Sequence, residues 1–493
     1  MLREPSQSEY STNFYNVTGV ELSLVQHRFD QSARLARSAY SCGWPGAPQP
    51  LRRAVLIVMC RTQRPLSLTA GKFYTISRTT FVRREATSMK DKDIPWSDTA
   101  LWLVARVLAL GGSWRPPGVP GFTLYRIWVL FTQFSFLYGQ VQGVFYFWGD
   151  ANKVIQDVCL LVTTILGIIK FIIFVVRQED VFKIVRTIDD RRREQSALGN
   201  PRIAAILARS YRSATRITVH MALIGGWLPV VFAITPSIIR AFGVGPPERE
   251  LPATAWYTGR DSVTPIYELL SVLQYFSMQY SHFAAMCIDL FFACLIIHVA
   301  AQLEVLNVRI TQIREDIYRN GHVSESPAGT RDEGTEEDSA WRELCECVEH
   351  HKDVIKLVDD LEGLANIVIL SQFMGATIII CVTLFVITTS KQHFAALVKL
   401  DGYLVVVVYE IFMYCWFGDD IMYQNSRLVN SVYMCGWPGA PQKMQKALII
   451  ILLRAQRPLG VTAGKFYHVS RRAFVSLLKA SYSYYALLNQ MNK

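Results

Sequence analysis

Residues 276–300 read FSMQYSHFAAMCIDLFFACLIIHVA, an apolar run with one acidic residue, Asp289, and no lysine or arginine. Crossing a hydrocarbon core of ~30 Å takes ~20 residues, and helices of soluble domains are usually shorter than this run. Within lipid an isolated segment satisfies its backbone only as a helix, so the run is predicted to be a transmembrane helix. Working outward, five runs of similar character lie at 121–148, 154–176, 217–239, 363–388 and 394–416. A weaker seventh, 473–491, is long enough but carries Lys479 and many Ser and Tyr residues, as a helix facing water or protein on one side would. A hydrophobic content of 51% would also suit a soluble protein, so its distribution decides. The fold class predicted is an all-α membrane protein with seven transmembrane helices.

Charge sets the expected orientation. The segment 177–216 holds ten Lys and Arg residues, among them Arg191-Arg192-Arg193, whereas 149–153 holds Lys153 alone. Between the third and fourth runs stand Arg240, Arg249 and Arg260, and between the fifth and sixth only Lys391. Positive loops stay on the cytoplasmic side, which places the N-terminus in the cytoplasm and the C-terminus outside the cell. The segment 302–360 reads as a loop too long for that rule and is acidic at 333–338.

A second feature bounds the chain. Residues 31–82 and 424–475 align without a gap and agree at 30 of 52 positions. Cys42-Gly43-Trp44-Pro45-Gly46-Ala47-Pro48-Gln49 matches Cys435-Gly436-Trp437-Pro438-Gly439-Ala440-Pro441-Gln442, and Thr69-Ala70-Gly71-Lys72-Phe73-Tyr74 matches Thr462-Ala463-Gly464-Lys465-Phe466-Tyr467. A solenoid would repeat its unit many times at a short period. Residues 1–88 therefore read as the C-terminal fragment of a neighbouring protein joined in front of a complete one at 89–493, with Met89 as the native start; a genuine N-terminal extension is the alternative. Residues 1–88 contain 12 Lys and Arg against 5 Asp and Glu, so they carry +7 of the net +11. The basic balance is thus no nucleic-acid footprint.

The last third of the chain carries an identifying set of residues: Phe417-Gly418-Asp419-Asp420, Gln424, Ser426, Tyr433, Cys435, Trp437, Arg454, Gln456, Arg457, Pro458, Leu459, Thr462, Ala463, Gly464, Lys465 and Phe466, ending in Ala480-Ser481-Tyr482-Ser483-Tyr484. It closely resembles the C-terminal signature of insect odorant receptors. A second match lies on the fourth helix at Cys287, Asp289, Leu290, His298, Gln302, Leu303 and Leu306. The resemblance covers 89–493 in length, helix count and topology. It implies a subunit of a heterotetrameric cation channel in the plasma membrane of olfactory sensory neurons. In such a channel a tuning subunit binds a volatile organic ligand and a common coreceptor subunit completes the pore. This chain resembles a tuning subunit, because it lacks the longer intracellular insertion of the coreceptor.

Candidate sites follow from the residues and the resemblance together. On a helix over 473–491, Tyr484, Leu487, Leu488 and Met491 recur at spacings of three and four and share a face. An apolar ring of Leu487 and Met491 suits a gate, and Gln490 suits replacement of part of an ion's hydration shell; by resemblance these three fall where the family's gate and filter lie. Packing on neighbouring helices would produce the same stripe. Residues 444–459 are too short to cross and end in Arg454, Gln456, Arg457 and Pro458, so they read as a cytoplasmic helical anchor between subunits, entered by the turn at Trp437. Asp289 and Glu410 are charges within the membrane runs, read as structural carboxylates joining helices or as ion ligands. Lys170, Lys399 and Asp401 are expected to reach toward water.

An odorant pocket needs apolar walls and few polar groups. The outer ends of the helices offer Trp148, Trp227, Phe232 and Tyr403, with Tyr275, Phe276, Tyr280, His282 and Phe283 on the fourth run. Aromatic residues at that depth equally form the interfacial belt of a membrane protein. Cys345, Cys347, His350 and His351 lack the spacing of a zinc site and read as a solvated helix face. No cofactor, metal or nucleic-acid partner is implied, and the metalloprotease, phosphate-loop and nucleophile-elbow motifs of enzymes are missing. A gustatory receptor of the same superfamily is the alternative reading. A G-protein-coupled receptor would need the opposite orientation.

Overall fold

The computed structural model describes residues 38–41, 44, 47–62, 69–70, 74–75, 101–115, 121–149, 151–241, 251–257, 262–321, 333–389, 394–435 and 440–491. The expected start at Met89 and the anchor residue Trp437 lie outside the described residues. Helix α1 spans Gln49–Thr62 and is followed by a hairpin of β1, Thr69–Ala70, and β2, Tyr74–Thr75. Then come α2 (Trp102–Leu110), α3 (Phe122–Tyr146), α4 (Ala151–Val176), α5 (Gln178–Ala197) and α6 (Pro201–Ala241). Three long helices follow: α7 (Ile266–Gly321), α8 (Glu333–Thr389) and α9 (Phe394–Tyr433). The chain closes with α10 (Gln442–Ala455), a hairpin of β3 (Thr462–Ala463) and β4 (Tyr467–His468), and α11 (Arg471–Met491).

The seven predicted crossings fall within α3, α4, α6, α7, α8, α9 and α11. By length and composition α4 and α6 to α9 suffice to cross a bilayer. At 25 and 21 residues α3 and α11 have the length, with a more polar composition. The helix at 444–459 is observed as Gln442–Ala455, because the chain turns at Gln456 and then forms the β3–β4 hairpin.

Two segments read as loops are helical. Within 302–360, α7 runs on to Gly321 and α8 begins at Glu333; within 177–216 lies all of α5. Hydropathy marks where a helix leaves lipid and is blind to its polar continuation. The break between α5 and α6 has a local cause. Gly199 takes a left-handed φ of 64°, Asn200 Oδ1 accepts the Arg202 N–H at 3.0 Å, and Pro201 occupies the first helical position.

At the centre stands α7, which packs against α3, α4, α6, α8 and α9. Every residue from Ala284 to Leu303 is buried, so this helix is apolar all round rather than on one stripe. Antiparallel packing gathers the starts of α4, α7 and α9 and the end of α6 at one end of the bundle. At the other end, α5, α10 and the β3–β4 hairpin surround the end of α9 and the polar extensions of α7 and α8.

Candidate functional site

At the first end, residues of α3, α4, α6, α7 and α9 line a small, partly open cavity of about 50 Å³. Phe136, Leu160, Leu228, Pro229, Phe232 and Met278 give it apolar walls, and Thr163, Thr164, Ser281, His282 and Tyr403 supply the polar groups. The Tyr403 hydroxyl pairs with Thr163 Oγ1 and donates to the Cys159 carbonyl at 3.3 Å. His282 Nε2 is buried with no hydrogen-bond partner among the described residues. The lining thus offers dispersion contacts over most of a ligand and a few hydrogen-bonding points.

Of the pocket residues expected from sequence, Phe232, His282 and Tyr403 line this cavity. Trp148 and Trp227 do not: they are 75% and 68% exposed, as suits residues facing lipid or its interface. Tyr275 packs on Phe276, Tyr280 packs on Phe276 and Tyr125, and Phe283 joins the apolar core. The hydroxyl residues were missed. Thr163-Thr164 and Ser281-His282 are adjacent polar pairs inside apolar runs, and that interruption was the available signal.

Beneath the cavity lies a buried charge network. Lys170 Nζ sits 2.5 Å from Asp289 Oδ2 and donates to Gln372 Oε1 at 2.6 Å, while Gln372 Nε2 donates to Glu410 Oε2 at 2.7 Å. The Tyr414 hydroxyl donates to Asp289 Oδ1 at 2.9 Å. Lys170 is 2% exposed, so the expectation that it reaches water is corrected: a buried cation needs a counter-charge, and Asp289 provides it. Asp289 and Glu410 are joined through Lys170 and Gln372, which ties α4, α7, α8 and α9 together. The spacing relates network to pocket: Thr163 and Lys170, His282 and Asp289, and Tyr403 and Glu410 are each seven residues apart. Seven residues are two turns, so each pair shares a helix face with a rise of about 10 Å between its members. Lys399 also departs from expectation; its Nζ lies 5.2 Å from the Phe232 ring centroid and donates to the Pro252 carbonyl at 3.3 Å.

At the opposite end the helices are fastened by polar side chains. Gln195 Nε2 donates to Gln302 Oε1 at 2.5 Å, and His350 Nε2 lies 3.1 Å from the same oxygen, joining α5, α7 and α8. Asn307 Nδ2 donates to the Gln424 carbonyl at 3.0 Å, and Ser431 donates to Asn307 Oδ1 at 3.1 Å, joining α7 to α9. Cys347, His350 and His351 are buried, which corrects the solvated face expected for them. Among the described residues no group of three or more His, Cys, Asp or Glu side chains is placed to hold a metal ion.

The signature residues near the end of the chain have structural partners. Gly464 and Lys465 take φ of 58° and 65°, and Phe466 N–H donates to the Ala463 carbonyl at 3.0 Å, giving a type I′ hairpin turn. Thr462 donates to Glu362 at 2.6 Å and the Tyr467 ring stacks on Phe373, docking the hairpin on α8. Asn425 Nδ2 donates to the carbonyls of Ala455 and Arg457, both at 3.0 Å. A Cβ on Gly418 would come 2.7 Å from the Val469 carbonyl oxygen, so only glycine lets the chain pass α9 there. Arg471 binds Asp419 and Asp420 at 3.4 and 3.0 Å and covers the Trp416 ring. Arg454 is buried, whereas Gln456 and Pro458 are exposed and Arg457 is half-buried.

Beyond that junction α11 has one buried residue, Ser481. Leu487 and Met491 are 53% and 78% exposed, and Gln490 is exposed beside them, so this stripe does not pack within its own chain.

The first repeat copy refolds the same local structure. Adding 393 to the bounds of α1, β1 and the first residue of β2 gives those of α10, β3 and the first residue of β4. Tyr40 and Trp44 are wholly buried; the Tyr40 hydroxyl lies 2.7 Å from His351 Nδ1, and Trp44 Nε1 donates to the Tyr40 carbonyl at 2.8 Å. Burial pushes the Tyr40 phenol well above its usual range, so it stays protonated.

The profile of the family described as 7tm Odorant receptor matches residues 26–84 and 150–482. Odorant receptor Or2 of Anopheles gambiae is 28% identical over 293 residues, covering 59% of this chain and 73% of that protein. Odorant receptor 2a of Drosophila melanogaster is 24% identical over 400 residues, covering 79% and 96%. Among solved structures, the insect olfactory receptor OR5 of Machilis hrabei in complex with eugenol superposes with a TM-score of 0.66 at 14% identity, covering 80% of this chain and 99% of that one.

Proposed function

This chain belongs to the 7tm odorant receptor family, and from that premise we propose that it is the tuning subunit of an odorant-gated, nonselective cation channel. It is a multi-pass membrane protein whose ligand, a volatile organic molecule, occupies the cavity between α3, α4, α6, α7 and α9. That cavity is the observation that carries the reading: apolar walls hold the body of the ligand, and Thr163, His282 and Tyr403 meet its polar group. The Machilis receptor, which shares this fold, was solved in complex with eugenol, which supports a small organic molecule as the class of ligand.

The partner is a coreceptor subunit, the assembly a heterotetramer, and the location the plasma membrane of olfactory sensory neurons, which the channel depolarises. The ten cations of 177–216 favour a cytoplasmic N-terminus, which puts the cavity toward the outside and α10 with the β3–β4 hairpin in the cytoplasm, where subunits hold one another. The exposed stripe of α11 then faces the ion path, with Leu487 and Met491 closing it and Gln490 contacting the ion. The test is co-expression with a coreceptor and electrical recording against a panel of volatiles. Odorant-evoked cation currents that shift in concentration dependence with Phe232→Ala support the reading. Ligand responses untouched by every substitution in the cavity overturn it.

A further inference from the structure

One face of α6 changes chemistry partway along its length. Arg209, Arg212, Arg216, Val219, Leu223 and Trp227 recur at spacings of three and four and all are exposed, so they form one stripe that is cationic up to Arg216 and apolar after it. Ile234 and Ile238 continue the apolar part and are also exposed. The opposite face of α6 supplies Leu228, Pro229 and Phe232 to the cavity. An exposed apolar stripe on a spanning helix faces lipid tails, and its length can be compared with theirs. From Arg216 to Ile238 the helix rises about 33 Å, close to the ~30 Å of a hydrocarbon core. With Ile238 at one boundary of the core, Arg216 stands at the other, and Arg212 and Arg209 follow about 6 and 10 Å farther out, at and beyond the headgroups. Arg209 Nη2 pairs with Glu304 at 3.2 Å. Arg212 donates to the Ala208 carbonyl and Arg216 to Ser213 Oγ, and neither meets a carboxylate among the described residues. Each guanidinium carries five N–H donors, so most of theirs are left for an anion.

We propose that the cationic end of this stripe binds a polyphosphorylated inositol lipid of the cytoplasmic leaflet, its tails along Val219 and Leu223 and its phosphates on Arg216, Arg212 and Arg209. Guanidinium groups take phosphate oxygens through paired N–H donors, which suits arginine better than lysine to the task. The direction of the stripe decides the class of headgroup. It stands along the bilayer normal, so a lone phosphate at the surface reaches Arg216, whereas an inositol ring carrying further phosphates extends outward to Arg212 and Arg209. The cytoplasmic side rests on the orientation proposed above; the site itself rests on the stripe and is independent of odorant binding.

The test uses the full chain in phosphatidylcholine nanodiscs, which expose both leaflets, with a fluorescent short-chain phosphatidylinositol bisphosphate as probe and its anisotropy as the readout. Saturable binding is expected, and Arg212→Gln combined with Arg216→Gln should weaken it about 25-fold, about fivefold for each cation near the surface. Both side chains are exposed and glutamine suits a helix as arginine does, so the fold should survive, which monodisperse elution checks. Arg177→Gln with Arg193→Gln removes the same charge from exposed positions off the stripe and should weaken binding far less. Binding unchanged in the first pair, or lost equally in both pairs, overturns the proposal. Phosphatidylserine competing as well as the bisphosphate rules out the polyphosphorylated headgroup, and free inositol trisphosphate competing as well rules out the lipid. Odorant-evoked current with the coreceptor and labelling of terminal tags on intact cells are recorded for the same forms. Loss of lipid binding with intact currents and a cytoplasmic N-terminus sinks only this inference.

Discussion

Replacing Lys170 with methionine keeps the length of the side chain and removes its charge, leaving Asp289 facing Tyr414 with no cation. The geometry sets the scale: Nζ and Oδ2 are 2.5 Å apart and the side chains are 2% and 0% exposed, so solvent screening is minimal. Breaking one partner of a buried ion pair costs about 3–5 kcal/mol, because the surviving charge loses its compensation. At 1.4 kcal/mol per decade that is a loss of about two to three and a half decades in the folded ratio. Asp289→Asn alone strands the lysine and should cost a similar amount. The double variant buries no unpaired charge on this pair, and about 2 kcal/mol or more of the combined cost should return. The assay is the midpoint of thermal loss of monodisperse receptor in detergent for the four forms, with surface expression as a second readout. If the two single effects simply add in the double variant, Lys170 and Asp289 are not partners and the network described here is wrong.

Tyr403→Phe removes the hydroxyl shared with Thr163 in the cavity and should shift half-maximal odorant concentration about fivefold, the scale of one hydrogen bond of about 1 kcal/mol, read from concentration–response curves. Gly418→Ala drives a methyl group into the Val469 carbonyl and should destabilise the junction between β4 and α11 by about 1–3 kcal/mol, seen as reduced surface receptor. Leu487→Ala should leave surface expression and odorant sensitivity unchanged while altering basal leak or ion selectivity in recordings with the coreceptor; unchanged currents would remove α11 from the ion path.

What could be read from sequence follows the reach of each physical signal. Five of the apolar runs fall on the described helices that are long and apolar enough to cross a bilayer, because a bilayer imposes length and hydropathy on contiguous residues. The extensions of α7 and α8 and the whole of α5 escaped, since outside lipid a helix no longer needs to be apolar. Lys170 was misread because its partner is 119 positions away, and no local pattern announces a contact between α4 and α7. The cavity was half legible. Phe232, His282 and Tyr403 stood out by type, but Thr163 and Ser281 become lining residues only through the rotation of their helices about their own axes, which packing decides. Trp148 and Trp227 illustrate the converse, large aromatics that face outward.

One consequence of α7 concerns how the two ends of the molecule communicate. Between Ile266 and Asn320 it contains neither proline nor glycine, the usual places where a helix bends. The cavity at Met278, the ion pair at Asp289 and the fastening at Asn307 are therefore stations along one unjointed strut, about 44 Å from first to last. A guest wedged against its upper part has no intervening elbow to absorb the push. The strut must slide, turn or lean as a whole, carrying the lower fastening with it.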